Sequence, residues 1–197
     1  TEGNAWTYVG VVFDGTGITN LQKIDGPHLI KIGEKYRLYF QLGTGVDYAS
    51  RTYDIYVAES DTITGSYVLA NEGNPVLTEG ATGTWDGGDV MQPWVVEDNG
   101  VFYMWYSGWG TGYNQQLGFA YSSDGYYWTK GRGNPIFEAA TGFAEPSVIT
   151  DGETWQMWTM GTGGTINYLE ATGPFEFQSI QAAIDAANAG DTINVAA

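Results

Sequence analysis

The chain has 197 residues, 43% of them hydrophobic and none of them cysteine, and its 7 basic against 23 acidic side chains leave a net charge of −16. That charge repels phosphate backbones and anionic lipid, which excludes nucleic acid and membrane surfaces as expected partners. The lack of cysteine excludes disulfides and thiolate metal sites, and no apolar run approaches the roughly 20 residues that cross a bilayer. Twenty-nine glycines, fourteen tyrosines and eight tryptophans suit many short strands joined by tight turns, so the expected class is all-β within one core-forming domain.

Residues 5–13, AWTYVGVVF, read as a strand, the last strand of a unit whose first three lie elsewhere in the chain, as happens where a ring of repeats closes. A start at Thr1 with no apolar leader reads as a processed or trimmed piece. Around Pro27 the chain reads GPHLIKIGEKYRLYF, around Pro93 QPWVVEDNGVFYMWY and around Pro146 EPSVITDGETWQMWT, three segments that align without a gap. Gly33, Asn99 and Gly152 mark the turn of each, and Tyr36, Phe102 and Trp155 open each returning aromatic run. Residues that tolerate positive φ between two such runs predict antiparallel hairpins.

The first unit spans about 25–77, with a third strand at Tyr53–Ala58 and a fourth at Ser66–Leu69. The second spans 85–137, with Leu117–Ser122 and Tyr126-Tyr127-Trp128 in the same places, and Gly-Asn-Pro turns close both units. The third begins at Phe143, keeps its hairpin and its third strand at Ile166–Leu169, and changes character at Gly173-Pro174. Units of four antiparallel strands at this period predict β-propeller blades, about three of them, over residues 1–173; a β-sandwich explains the alternation but not the fixed offsets. In residues 174–197, Ser179 as N-cap, an apolar face of Ile180, Ala183, Ile184 and Ala187, and Gly190 at the C-terminal end predict a short helix, followed by a strand from Asp191. This segment resembles the opening of right-handed parallel β-helix domains; packing of the helix on the propeller rim is the alternative.

The prolines before the hairpins, Met104-Trp105-Tyr106-Ser107-Gly108, the run from Gly118 to Trp128 and Gly133-Asn134-Pro135-Ile136 resemble the five-bladed propellers of glycoside hydrolase families 43, 62 and 32 over roughly residues 5–173. The resemblance implies a carbohydrate partner, an extracellular or cell-surface setting, and carboxylates just before each blade's proline: an Asp base or nucleophile, an Asp that tunes and positions, and a Glu general acid. Glu145 stands at the third of these places. Gly26 and Gln92 occupy the other two, where neither can act as base or charged modulator. Asp25 is one residue further back, within reach of the funnel if Gly26 forms a bulge, and Asp89 is three further back. The catalytic candidates are therefore Glu145, Asp25 and Asp89, the alternatives being a structural Glu and two turn or loop carboxylates. Trp94 and Trp109 are candidate stacking platforms for sugar rings, and Gln92 and His28 candidate sugar contacts, with ordinary packing or rim roles as alternatives. No acidic or histidine spacing specifies a metal or other cofactor; calcium at Glu97-Asp98-Asn99 competes with a plain hairpin turn.

Three blades are fewer than known rings contain, so a homo-oligomer that completes the ring is an expected assembly. The functional expectation is a glycoside hydrolase-like protein acting on oligo- or polysaccharide. A non-catalytic carbohydrate-binding or self-associating propeller, without a complete acid/base pair, is the alternative, and a protein–protein scaffold a third.

Overall fold

Each proline-led segment folds as the hairpin its turn residues predict. In the computed structural model, which describes residues 6–136, 142–161 and 163–173, β1 (Leu21–Ile32) and β2 (Lys35–Thr44) flank the first turn, β5 (Asp89–Asp98) and β6 (Val101–Trp109) the second, and β9 (Phe143–Thr150) and β10 (Trp155–Gly161) the third. At the second turn Asn99 and Gly100 both take positive φ, 52° and 82°, the backbone that lets a two-residue connection follow the twist of the strands. β3 (Thr52–Ser60) and β4 (Val68–Leu69) extend the first hairpin, β7 (Gln116–Ser122) and β8 (Thr129–Lys130) the second, and β11 (Thr165–Ala171) the third. The sheets run β1-β2-β3-β4, β5-β6-β7-β8 and β9-β10-β11, antiparallel throughout. These are propeller blades, and no α-helix occurs among the described residues. The helix and strand expected in residues 174–197 lie outside them.

Because side chains alternate across a strand, each blade has two apolar faces, and the blades stack face to face. Tyr39, Ile55 and Val57 of blade 1 pack against Val90, Val95, Phe102, Met104 and Tyr106 of blade 2. The opposite face of blade 2, with Tyr103, Trp105, Leu117 and Phe119, packs against Val148, Trp155, Met157 and Ala171 of blade 3. The outer face of blade 1 buries Phe40, Leu42, Ala58 and Tyr67 beneath Phe13, Ile18, Leu21 and Ile24.

That cover corrects the expectation for residues 5–13. Residues 6–13 form no strand. The Val12 carbonyl accepts from the Tyr67 amide at 2.9 Å and the Phe13 ring sits 4.8 Å from that of Phe40, whereas Trp6, Tyr8, Val9 and Val11 are exposed. A strand needs a ladder of partners along its length. Here the chain makes contact at its apolar end, and the segment serves as an arm over blade 1.

Candidate functional site

The three innermost strands share a defect at the same place. The register of β1 on β2 slips between Asp25 and His28, that of β5 on β6 between Met91 and Trp94, and that of β9 on β10 between Ala144 and Ser147. Gly26-Pro27, Gln92-Pro93 and Glu145-Pro146 are thus two-residue bulges, each facing one residue of the neighbouring strand. Proline explains the break, since it offers no N–H to the ladder. The residue before each proline is left-handed: φ is 60° at Gly26, 53° at Gln92 and 55° at Glu145. A residue preceding proline is normally driven to extended backbone, so this conformation costs the two non-glycine positions on the order of 1–3 kcal/mol each.

Hydrogen bonds from the preceding blade hold the strained positions. The Gln92 amide donates to Gln41 Oε1 at 2.6 Å, and the Glu145 amide donates to Ser107 Oγ at 3.0 Å. Gln41 and Ser107 are both buried, and in register they face Asp25 and Met91, so they occupy the same position in successive blades. Sequence reasoning missed them. Both lie fourteen residues after their proline, an offset as regular as those that revealed the hairpins. The residues just after the prolines repeat a second link: His28 Nε2 donates to the Val95 carbonyl at 2.8 Å, and Trp94 Nε1 to the Val148 carbonyl at 2.7 Å.

These bulges gather Asp25, Gly26, Pro27, His28, Gln92, Pro93, Trp94, Glu145 and Pro146 around one pocket of about 320 Å³. Glu145 is exposed to it, and its Oε1 accepts from Gln92 Nε2 at 3.1 Å. Asp25 is half-exposed and paired with Lys23 Nζ at 2.5 Å; that ammonium, hydrogen-bonded to the carboxylate, holds Asp25 below the ordinary Asp range. His28 and Trp94 lie with ring centroids 4.3 Å apart, and burial pushes the His28 imidazole below its ordinary value, favouring the neutral ring that donates through Nε2. The pocket thus presents two carboxylates, a carboxamide, an imidazole and an indole, a donor–acceptor–aromatic mixture suited to a polyhydroxylated ring.

Two candidates are not brought there. Asp89, at the start of β5, lies outside the pocket lining; it accepts from the Tyr53 amide at 2.8 Å across the junction of blades 1 and 2, and burial raises its carboxyl above the ordinary value. Trp109 pairs with Asp89 at the far end of β6 and is likewise outside the pocket. At the acidic turn, Glu97 Oε1 accepts from the Gly100 amide at 2.7 Å and Asp98 Oδ1 from Asn99 Nδ2 at 3.1 Å, as in a hairpin stabilised by its own side chains. Among the described residues no three histidine or acidic side chains gather as a metal site. No helix of the described residues is long and apolar enough to cross a membrane.

No family model matches the chain, and no curated protein does. Solved structures share its fold. It is similar to a glycosyl hydrolase from Bacteroides ovatus (19% identity, TM-score 0.61, 78% of this chain and 47% of that one), to a family 117 glycoside hydrolase of the marine bacterium Zobellia galactanivorans (20%, 0.61, 85% and 52%), and to the catalytic domain of a family 62 α-L-arabinofuranosidase from Coprinopsis cinerea (11%, 0.59, 83% and 50%). At these identities the likeness is one of fold: a glycoside hydrolase-like propeller. The chain spans about half the length of the structures it matches.

Proposed function

We propose that the protein acts on oligo- or polysaccharide at the pocket between the three bulges, cleaving a glycosidic bond with Glu145 as general acid and Asp25 as base. The observation that supports this reading most is that these two carboxylates, from the first and third blades, line the same pocket. Glycosidic cleavage needs one carboxyl group to protonate the leaving oxygen and a second, ionised one to activate water or attack the sugar. The Lys23 ion pair favours the ionised form at Asp25, which suits the base. Gln92, where the resemblance implied a second Asp, acts as a neutral positioning residue, its carboxamide fixing Glu145. Trp94 and His28 supply a face for the sugar ring.

One observation favours a second reading, non-catalytic carbohydrate binding. Gly26 and Gln92 stand at two of the three places before the prolines, and the strained Glu145 is tied to Gln92 by a hydrogen bond that serves hydroxyl recognition as well as catalysis.

Hydrolysis of aryl glycosides and of plant and algal polysaccharides, measured for the wild type, Glu145→Gln and Asp25→Asn, tests the proposal. Turnover that falls about 10²–10⁴-fold in either variant, with the circular dichroism spectrum retained, is the expected result. Absence of turnover in the wild type, with binding of the same polysaccharides still seen by calorimetry and weakened in Trp94→Ala, would replace it with the binding reading.

A further inference from the structure

The repeat makes it possible to compare one position in three blades. In register, Tyr39 pairs with Val57, Trp105 with Phe119 and Trp158 with Tyr168, so these pairs are equivalent. One row along, Gln41 pairs with Ile55, Ser107 with Leu117 and Met160 with Ile166. In the first two blades the apolar members of these rows are buried against the next blade: Tyr39, Ile55, Trp105 and Phe119 are each 0% exposed. In blade 3 the same places are open, with Trp158 37%, Tyr168 52% and Ile166 73% exposed. The face has the composition of a buried one.

We propose that this face of blade 3 is an interface with a second copy of the chain, joined face to face. Three observations choose this occupant. First, the side chains that fasten each blade to the next are replaced. Ser147 stands where His28 and Trp94 reach across, and Met160 where Gln41 and Ser107 accept the strained amide, so a following blade held by the same links has nothing to hold. Second, head-to-tail stacking is obstructed, because the outer face of blade 1 is already covered by Phe13 of the arm and by Ile18. Third, Trp158, Met160, Ile166 and Tyr168 carry no charge in a chain of net −16. The carboxylate of Glu170, which keeps its charge while accepting from the Tyr168 hydroxyl at 2.6 Å, lies near the end of β11, so two copies meet over the uncharged part of the face with less repulsion than a fully acidic surface would impose. An apolar patch that meets its own image is the self-complementary contact of a two-fold dimer. β9 carries both Glu145 and Ile149, so the partner seated here bounds the pocket on the side away from blade 1.

This inference goes beyond the carbohydrate reading, and its test does not depend on activity. Sedimentation velocity over about 1–100 μM protein is expected to show a concentration-dependent dimer. Ile166→Glu and Trp158→Glu, on two different strands of the face, are each expected to weaken it at least about tenfold. Tyr127→Glu, on the exposed surface of blade 2, is expected to leave it unchanged. The far-ultraviolet spectrum reports whether each variant is folded, and because the two face substitutions sit on different strands, loss of one fold leaves the other to decide. A wild type that stays monomeric throughout, including one in which the chain's own residues 174–197 shield Trp158 from acrylamide quenching, overturns the proposal. So does a dimer that survives both substitutions.

Discussion

The two blade junctions carry equivalent positions but are joined by different chemistry. Between blades 1 and 2, Arg37 lies over the Tyr126 ring at 4.1 Å, donates to Glu59 at 2.8 Å and to the Asp124 carbonyl at 2.5 Å, and Glu59 also accepts from the Tyr126 hydroxyl. Buried Tyr39 donates to the Gly125 carbonyl at 3.0 Å. Between blades 2 and 3, Tyr103 and Trp105 stand where Arg37 and Tyr39 do, and aromatic contact does the joining. Trp155 of blade 3 meets Trp105 tilted and Tyr103 edge-on, both at 5.5 Å, and within blade 2 Phe119 backs Trp105 edge-on at 5.5 Å. The repeat thus fixes where a blade is held but not how. A ring and a charge network satisfy the same place, provided that each network closes its hydrogen bonds.

Breaking the aromatic junction has the largest expected effect. Trp105→Ala removes a fully buried ring and leaves a cavity between two sheets, a loss of about 4 kcal/mol in urea unfolding. The Trp105 Nε1 has no hydrogen-bond partner among the described residues, so Trp105→Phe is expected to cost well under half of that, since it also removes a buried unpaired donor. At the other junction the corresponding break is Arg37→Met. The Arg37–Glu59 pair is only 12% and 18% exposed, so the substitution leaves a nearly buried carboxylate without its cation, and a loss of about 3 kcal/mol is expected. Glu59→Gln in the same background is expected to restore part of it, which a purely steric role for Arg37 would not permit.

The difference between the junctions also explains what could be read from the sequence. Hairpins, third strands and the candidates next to a proline, Gln92, Glu145, His28 and Trp94, followed from offsets along the chain, because turns and alternation are local. Left-handed Gln92 and Glu145 were not legible: the local rule for a residue before proline points the other way, and only buried acceptors on another blade, Gln41 and Ser107, stabilise the exception. The reading that let Gly26 bulge and turn Asp25 towards the pocket treated one blade as special, whereas all three bulge alike. Residues 5–13 failed for a related reason. Alternating apolar residues show that a segment has a face to bury, not which partner offers a ladder, and here the arm buries Phe13 on Phe40 and leaves Trp6 and Tyr8 open. Trp158 stands at a place in the repeat where Tyr39 and Trp105 are packed between blades, and its exposure is what marks the open face of blade 3.

The finest contrast is in pH. Blade 1 carries two groups whose protonation is shifted in opposite directions, Asp54 on β3 and His28, which reaches across to blade 2. Asp54, which accepts from the Glu79 amide at 3.2 Å, is pushed up to about 7 from 3.8 by burial and by the Glu79 carboxyl. The folded chain therefore binds a proton there that the unfolded chain has released, so this group's contribution is most favourable below the unfolded value and is lost as pH rises from about 4 to about 7. His28 is depressed by burial from 6.5, so the unfolded chain takes up a proton that the folded one refuses, and stability falls as pH drops below that value. Asp54→Asn is expected to remove the first slope and raise stability at pH 8 by about 1–2 kcal/mol, a figure reduced because the side chain is partly exposed to solvent. His28→Gln, which keeps an amide donor towards the Val95 carbonyl, is expected to flatten the acid side by a smaller amount. At the second junction Trp94 does the work of His28 without a titratable atom. The cost of Trp105→Ala is accordingly expected to be the same at pH 5 and pH 8, while the gain from Asp54→Asn is expected to be smaller at pH 5 than at pH 8; thermal unfolding of the three variants at the two pH values separates the titrating groups of blade 1 from the silent second junction.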